Sequence, residues 1–118
     1  MEKIWIKLLG GVIKPIIQMT TDQTFGQAIE ALNQGKRVSR SGWNGKGMFI
    51  FRQVPSEIEE DIVPKMQSLP QAVKDEFARR GGAIRYKNQL VMVYPDNTIY
   101  GWAANPSDVL ESDWCILD

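Results

Sequence analysis

The chain has 118 residues, 43% hydrophobic and 24% charged, which suits one folded domain and excludes a disordered segment. Lys and Arg together number 14, as do Asp and Glu, so the formal net charge is zero, against the basic excess of a DNA or RNA polymer binder. Histidine is absent, which removes the usual general base at neutral pH and the commonest metal ligand, and a single cysteine, Cys115, cannot cross-link its own chain.

The opening "MEKIWIKLLGGVIKPIIQ" is apolar but interrupted by Lys3, Lys7, Lys14 and Pro15. No run approaches the ~18 apolar residues of a membrane span. A small-residue cleavage site is also missing, so a cytoplasmic, reducing setting is expected. Residues 3–9 and 12–19 read as two strands joined by Gly10-Gly11, a pair suited to a two-residue hairpin turn. In "TFGQAIEALNQG", Thr24 and Gln27 have the spacing of a capping box, Phe25, Ala28, Ile29 and Leu32 share one helical face, and Gly35 supplies the stop. The main amphipathic helix is therefore predicted over about 24–34, with Phe25, Ile29 and Leu32 in the core.

"KRVSR" and "MFIFRQV" read as the strands of a hairpin around Asn44-Gly45. Ser56 and Glu59 suggest a second capping box, with Pro64 breaking the helix it starts. Pro70 and Gly81 or Gly82 bracket another helix, so residues 56–80 read as a helical insertion. "AIRY" and "QLVMVY" are expected to pair through Lys87-Asn88, and "TIYGW" to pair back through Pro95-Asp96-Asn97. A short helix at 106–110 and a last strand, "DWCIL", complete the chain. The expected fold is α+β, a mostly antiparallel sheet built from hairpins. It forms a single domain, 1–118, with an N-terminal hairpin extension at 1–21 and a helical insertion within 55–83.

Two stretches carry candidate chemistry. In "RSGWNGKGMF", glycines at 42, 45 and 47 allow close backbone approach to a ligand and leave amides free to meet an anion. Arg40 and Lys46 can pair with phosphate oxygens, and Trp43 can stack on a base or a sugar. A hairpin turn by itself needs only Asn44-Gly45, so the plain turn competes with the binding site. In "YGWAANPSDVLESDW", Trp102 ends a strand and Asn105, Ser107 and Asp108 follow where the chain leaves the sheet. Capping of a short helix accounts for Asn105 or Ser107 without any ligand. The run Glu57, Glu59, Glu60, Asp61 reads as a solvated helix face, not a metal site. Arg79-Arg80 suits the C-terminal end of a helix dipole.

The stretches "TFGQAIEALNQGKRVSRSGWNGKGMFIF" and "DNTIYGWAANPSDVLESDW" resemble the two ends of the phage and prophage Thoeris anti-defence 2 family. The resemblance covers about residues 24–54 and 84–117. It implies a non-enzymatic sponge that holds a nucleotide-derived immune signal, a glyco-cyclic ADP-ribose or in some relatives a cyclic oligonucleotide, in the cytoplasm of the infected bacterium. It also implies a homotetramer with ligand pockets between subunits, and no cofactor, metal, membrane or nucleic-acid polymer. On the motif positions it places ligand contacts at Arg40, Trp43, Asn44, Gly45, Gly47, Met48, Asn88, Trp102, Ser107 and Asp108, with no catalytic residue. Two other readings stand beside it. One is a phage module that docks a protein through the aromatic loop. The other is a small nucleotide-processing enzyme with Asp96, Asp108 or Asp113 as base.

Overall fold

A computed structural model describes residues 4–7, 13–16, 19–43 and 46–117, with only the backbone course given for 4–7 and 13–16. The first two strands, β1 (Ile4–Lys7) and β2 (Ile13–Ile16), pair antiparallel with Ile4 opposite Ile16. The Gly10-Gly11 turn expected between them lies outside the described residues.

A third strand, β3 (Thr20–Gln23), was not foreseen. Its sequence, TTDQ, is polar and almost wholly exposed, so no apolar alternation marks it. It runs along the edge of the main sheet, and the end of the expected N-terminal extension at residue 21 falls inside it. Helix α1 (Phe25–Asn33) starts at the capping box read in the sequence. The Thr24 hydroxyl accepts from the Gln27 amide at 3.2 Å, and Gln27 Oε1 accepts from the Thr24 amide at 2.8 Å. Gly35 stands just past the helix at φ +83°, a left-handed conformation that favours glycine.

Strands β4 (Val38–Arg40) and β5 (Phe49–Gln53) form the hairpin expected around Asn44-Gly45, with Val38 opposite Ile50. The helix predicted to start at Ser56 is instead a strand, β6 (Ser56–Ile58). It pairs with β7 (Ile84–Tyr86), placing Ile58 opposite Ile84 and Glu57 opposite Arg85. The predicted pairing of "AIRY" with "QLVMVY" is also overturned, because the strand at Gln89–Val93 has both its edges taken within the main sheet while β7 pairs with β6. Helix α2 (Gln71–Arg80) follows a single 3-10 turn at Val63–Lys65, with Pro70 before it and Gly81 after it at φ +75°. Strands β8 (Gln89–Val93) and β9 (Ile99–Gly101), helix α3 (Pro106–Leu110) and strand β10 (Trp114–Ile116) complete the order.

The main sheet has six strands in the order β3-β10-β4-β5-β8-β9. The last strand is therefore not an edge. It inserts between β3 and β4, antiparallel to both. Its residues Trp114 and Cys115 are buried, as the apolar "DWCIL" suggests. Helix α1 packs against β10 and β4. Ala28, Ala31 and Leu32 on the helix meet Val38, Ile50, Met92 and Trp114 on the sheet, while Phe25 and Ile29 are half-buried at the margin. The α+β class and the mostly antiparallel sheet are as the sequence led one to expect. The chain divides into two compact units, Met1–Arg52 with Leu90–Asp118, and Gln53–Gln89. At the root of the second unit, Gln89 Nε2 donates to Gln53 Oε1 at 2.8 Å. Among the described residues, no helix is long and apolar enough to cross a membrane.

Candidate functional site

Strand register builds the site. Arg40, the last residue of β4, lies opposite Trp114, the first of β10. The loop leaving β4 and the segment entering β10 therefore run side by side. The Ser41 amide continues the ladder by donating to the Asp113 carbonyl at 3.1 Å.

Two carboxylates of the C-terminal segment close on this loop. Asp113 Oδ1 accepts from Arg40 Nε at 2.8 Å, and Asp113 Oδ2 accepts from the Gly42 amide at 2.8 Å and from Arg40 Nη2 at 3.3 Å. Asp108 Oδ1 accepts from Arg40 Nη1 at 2.7 Å and from Trp43 Nε1 at 3.1 Å. Its second oxygen accepts from the Asn105 amide at 3.0 Å, and the Asp108 amide donates to Asn105 Oδ1 at 2.8 Å. Asn105 thus caps α3, as its local sequence suggests. The Asp108 carbonyl accepts from Trp114 Nε1 at 2.8 Å.

Asp108 is only 3% exposed, an unusual place for a charge unless it is paired. Burial pushes its carboxyl up. The hydrogen bonds from Asn105, Arg40 and Trp43, with the Arg40 charge, outweigh that and hold it below the usual carboxylate range. The Arg40 hydrogen bond does the same for Asp113, against a smaller effect of burial. The reciprocal bond to Asp113 raises the Arg40 guanidinium.

Above this ionic floor stand three tryptophans. Trp43 and Trp114 meet edge to face at 5.4 Å, Trp102 and Trp114 at 6.0 Å, and Trp43 and Trp102 at 6.3 Å. Edge-to-face packing at these spacings suits the ring quadrupoles. Trp114 is fully buried, whereas Trp43 and Trp102 are half-buried. Trp102 is held there by its amide, which donates to the Leu90 carbonyl at 2.9 Å.

Of the residues singled out in the sequence, Arg40, Trp43, Trp102 and Asp108 come together. Met48 packs half-buried against the same core. Gly47 is exposed at φ +82°, and a Cβ there would sit 3.8 Å from Pro95 Cγ. Ser107 is exposed on α3, where its carbonyl accepts from the Glu111 amide at 3.0 Å. Asn88 is exposed in the second unit. Asn44 and Gly45 lie outside the described residues. The Arg40 donors expected to face a phosphate are here directed at Asp108 and Asp113. Gly42, expected to approach a ligand, instead approaches Asp113, which the sequence suggested only as a catalytic base. The Asp–Asp–Trp spacing at 108, 113 and 114 does not reveal the arginine 73 residues upstream of Asp113. A cleft of about 250 Å3 opens within the second unit between Val63, Pro64, Lys74 and Phe77, and none of the ligand contacts expected from the sequence lines it.

The fold and site define a small α+β protein with one helix-backed antiparallel sheet and an aromatic cluster anchored by an arginine–dicarboxylate clamp. Residues 23–117 match the Thoeris anti-defense 2-like domain, and the chain belongs to that family. Among its relatives, Thoeris anti-defense 2 of Bacillus phage SP01 is 33% identical over 99 residues, 84% of this chain and 99% of the relative. The β1–β2 hairpin precedes the family match.

Proposed function

We propose that this protein binds and sequesters a cyclic ADP-ribose-type signalling nucleotide without consuming it, blunting an anti-phage defence from the cytoplasm of the infected bacterium. The observation that carries this function is the family match over 23–117, which spans both segments that build the tryptophan cluster. The half-buried rings of Trp43 and Trp102 offer stacking surface for an adenine. Exposed Lys46 and the glycine-rich backbone of the same loop offer cationic and amide partners for phosphates.

The carboxylates argue for holding over catalysis. Asp108 and Asp113 are held ionised by Arg40, which makes them weak bases. Asp96 is engaged by the Thr98 amide at 3.0 Å in a turn. Self-association, as a tetramer with pockets between subunits, belongs to the same proposal. Edge strand β9 carries Ile99 and Tyr100 at 57% and 61% exposure, apolar area that a second subunit would cover.

The test is to incubate the protein with a cyclic ADP-ribose, remove free ligand, denature the protein and analyse what is released. Intact nucleotide in stoichiometric amount is expected. Release of a converted product would make the protein an enzyme, and release of nothing would favour a protein-docking module.

A further inference from the structure

We infer that Arg40, Asp108 and Asp113 form a positioning clamp that pre-sets Ser41–Trp43 for the ligand, and that Arg40 is not itself the phosphate contact. The inference rests on the proposed binding function for its meaning, but not for its geometry.

Three features carry it. First, the Arg40 side chain is only 9% exposed, and its Nε, Nη1 and Nη2 all donate to carboxylates. A phosphate arriving there would have to displace an acid and then sit beside a cluster of one positive and two negative charges. Second, the same two acids also hold the loop directly. Asp113 takes the Gly42 amide and Asp108 takes the Trp43 indole, so the charge pairs and the aromatic ring share acceptors. Third, the fit at Gly42 is closed. A Cβ there would stand 2.5 Å from Asp113 Oδ2, so the loop lies against the acid more closely than any other residue allows. The orientation of Trp43 thus follows from a contact 65 residues away in sequence, and its stacking face is presented before a ligand arrives.

A direct contact and a clamp predict opposite outcomes at Asp113. If Arg40 touched phosphate, Asp113→Asn would free the arginine, and binding would hold or tighten. If Arg40 is a clamp, Asp113→Asn and Arg40→Gln both lower the fraction of protein with the loop in place. Apparent affinity falls by that same fraction, so a population reduced to one tenth costs about tenfold. The double variant then loses little more than either single one, because both remove one device.

The experiment is calorimetry of the three variants and the wild type with a cyclic ADP-ribose, beside amide and indole hydrogen exchange of the free proteins. The clamp requires a loss of about tenfold or more in both single variants, non-additivity in the double, and faster exchange of the Gly42 amide and the Trp43 indole. The Trp114 indole, bonded to a backbone carbonyl, should keep its protection. Wild-type or tighter binding by Asp113→Asn, or unchanged exchange at Gly42 and Trp43, would overturn it. Should Arg40→Gln fail to fold, Asp113→Asn alone decides through the same readouts. If the wild type does not bind the nucleotide, the proposed function fails, while the exchange measurement still decides the clamp.

Discussion

Asp108 shows how a charge survives burial in a small domain. Each of its polar atoms has a partner, and the described residues hold no buried side-chain polar atom without one. Removing the countercharge should therefore cost more than the pair itself contributes. Arg40→Met is expected to destabilise by ~3–5 kcal/mol, since it leaves the Asp108 carboxylate buried without its countercharge. Urea denaturation checks this, and an unchanged midpoint would refute the burial argument. Gly42→Ala should cost about 1–3 kcal/mol as Asp113 is forced aside. The acid limb of stability follows from the same groups. Asp108 and Asp113 have lowered values in the folded state, so the unfolded chain takes up protons first as pH falls. Their contribution is complete above the ordinary carboxylate range of about 4 and is lost as pH drops through the lowered folded values. The melting temperature should hold from neutral pH to about 5 and then fall, less steeply in Asp113→Asn than in the wild type. Stability that rises on acidification would contradict the ion pairing.

At the level of elements, α1 separates the worth of a cap from that of a core contact. Thr24→Ala removes one exposed capping bond and should cost about 1 kcal/mol. Leu32, 1% exposed between helix and sheet, should cost about 2–5 kcal/mol when cut to alanine. Thermal melts of the two variants would rank them, and a reversed order would mean that the helix buries another face. Strand β6 offers a contrasting test. Ser56 looked like a helix cap, yet it is an exposed strand residue opposite Tyr86. Ser56→Ala should therefore shift stability by no more than about 0.5 kcal/mol. A loss near 1 kcal/mol would instead indicate that the serine caps a helix. The Glu57–Arg85 pair, 3.4 Å apart and exposed, adds little by itself. Its position opposite across the ladder still suits strand pairing better than a helix.

At the scale of the whole molecule, Ile99 and Tyr100 on β9 are exposed apolar surface that the proposed self-association would cover. Light scattering at micromolar concentration is expected to show a species well above the 13.4 kDa of one chain. A monomer throughout would remove self-association from the proposed function. Exchange of Ile99 and Tyr100 for polar residues should lower the assembly state while leaving the folded monomer intact, because both side chains are exposed within it.

Signals with a local cause were legible in the sequence. The Thr24 capping box, the apolar face of α1, the Asn105 cap of α3 and the buried character of "DWCIL" each depend on residues a few positions apart. Hence the α+β class could be read, together with the two segments that form the site. Pairing over long separations was decided only by tertiary structure. The polar strand β3 exists because β10 offers it an edge. Ser56–Ile58 follows β7 instead of its own capping signal, because a ladder with Ile84 outweighs a short helix with a proline ahead. Arg40, read as a ligand for phosphate, meets carboxylates 68 and 73 residues away. No local pattern encodes which base and which acid will face each other, since that follows from the register of β4 on β10.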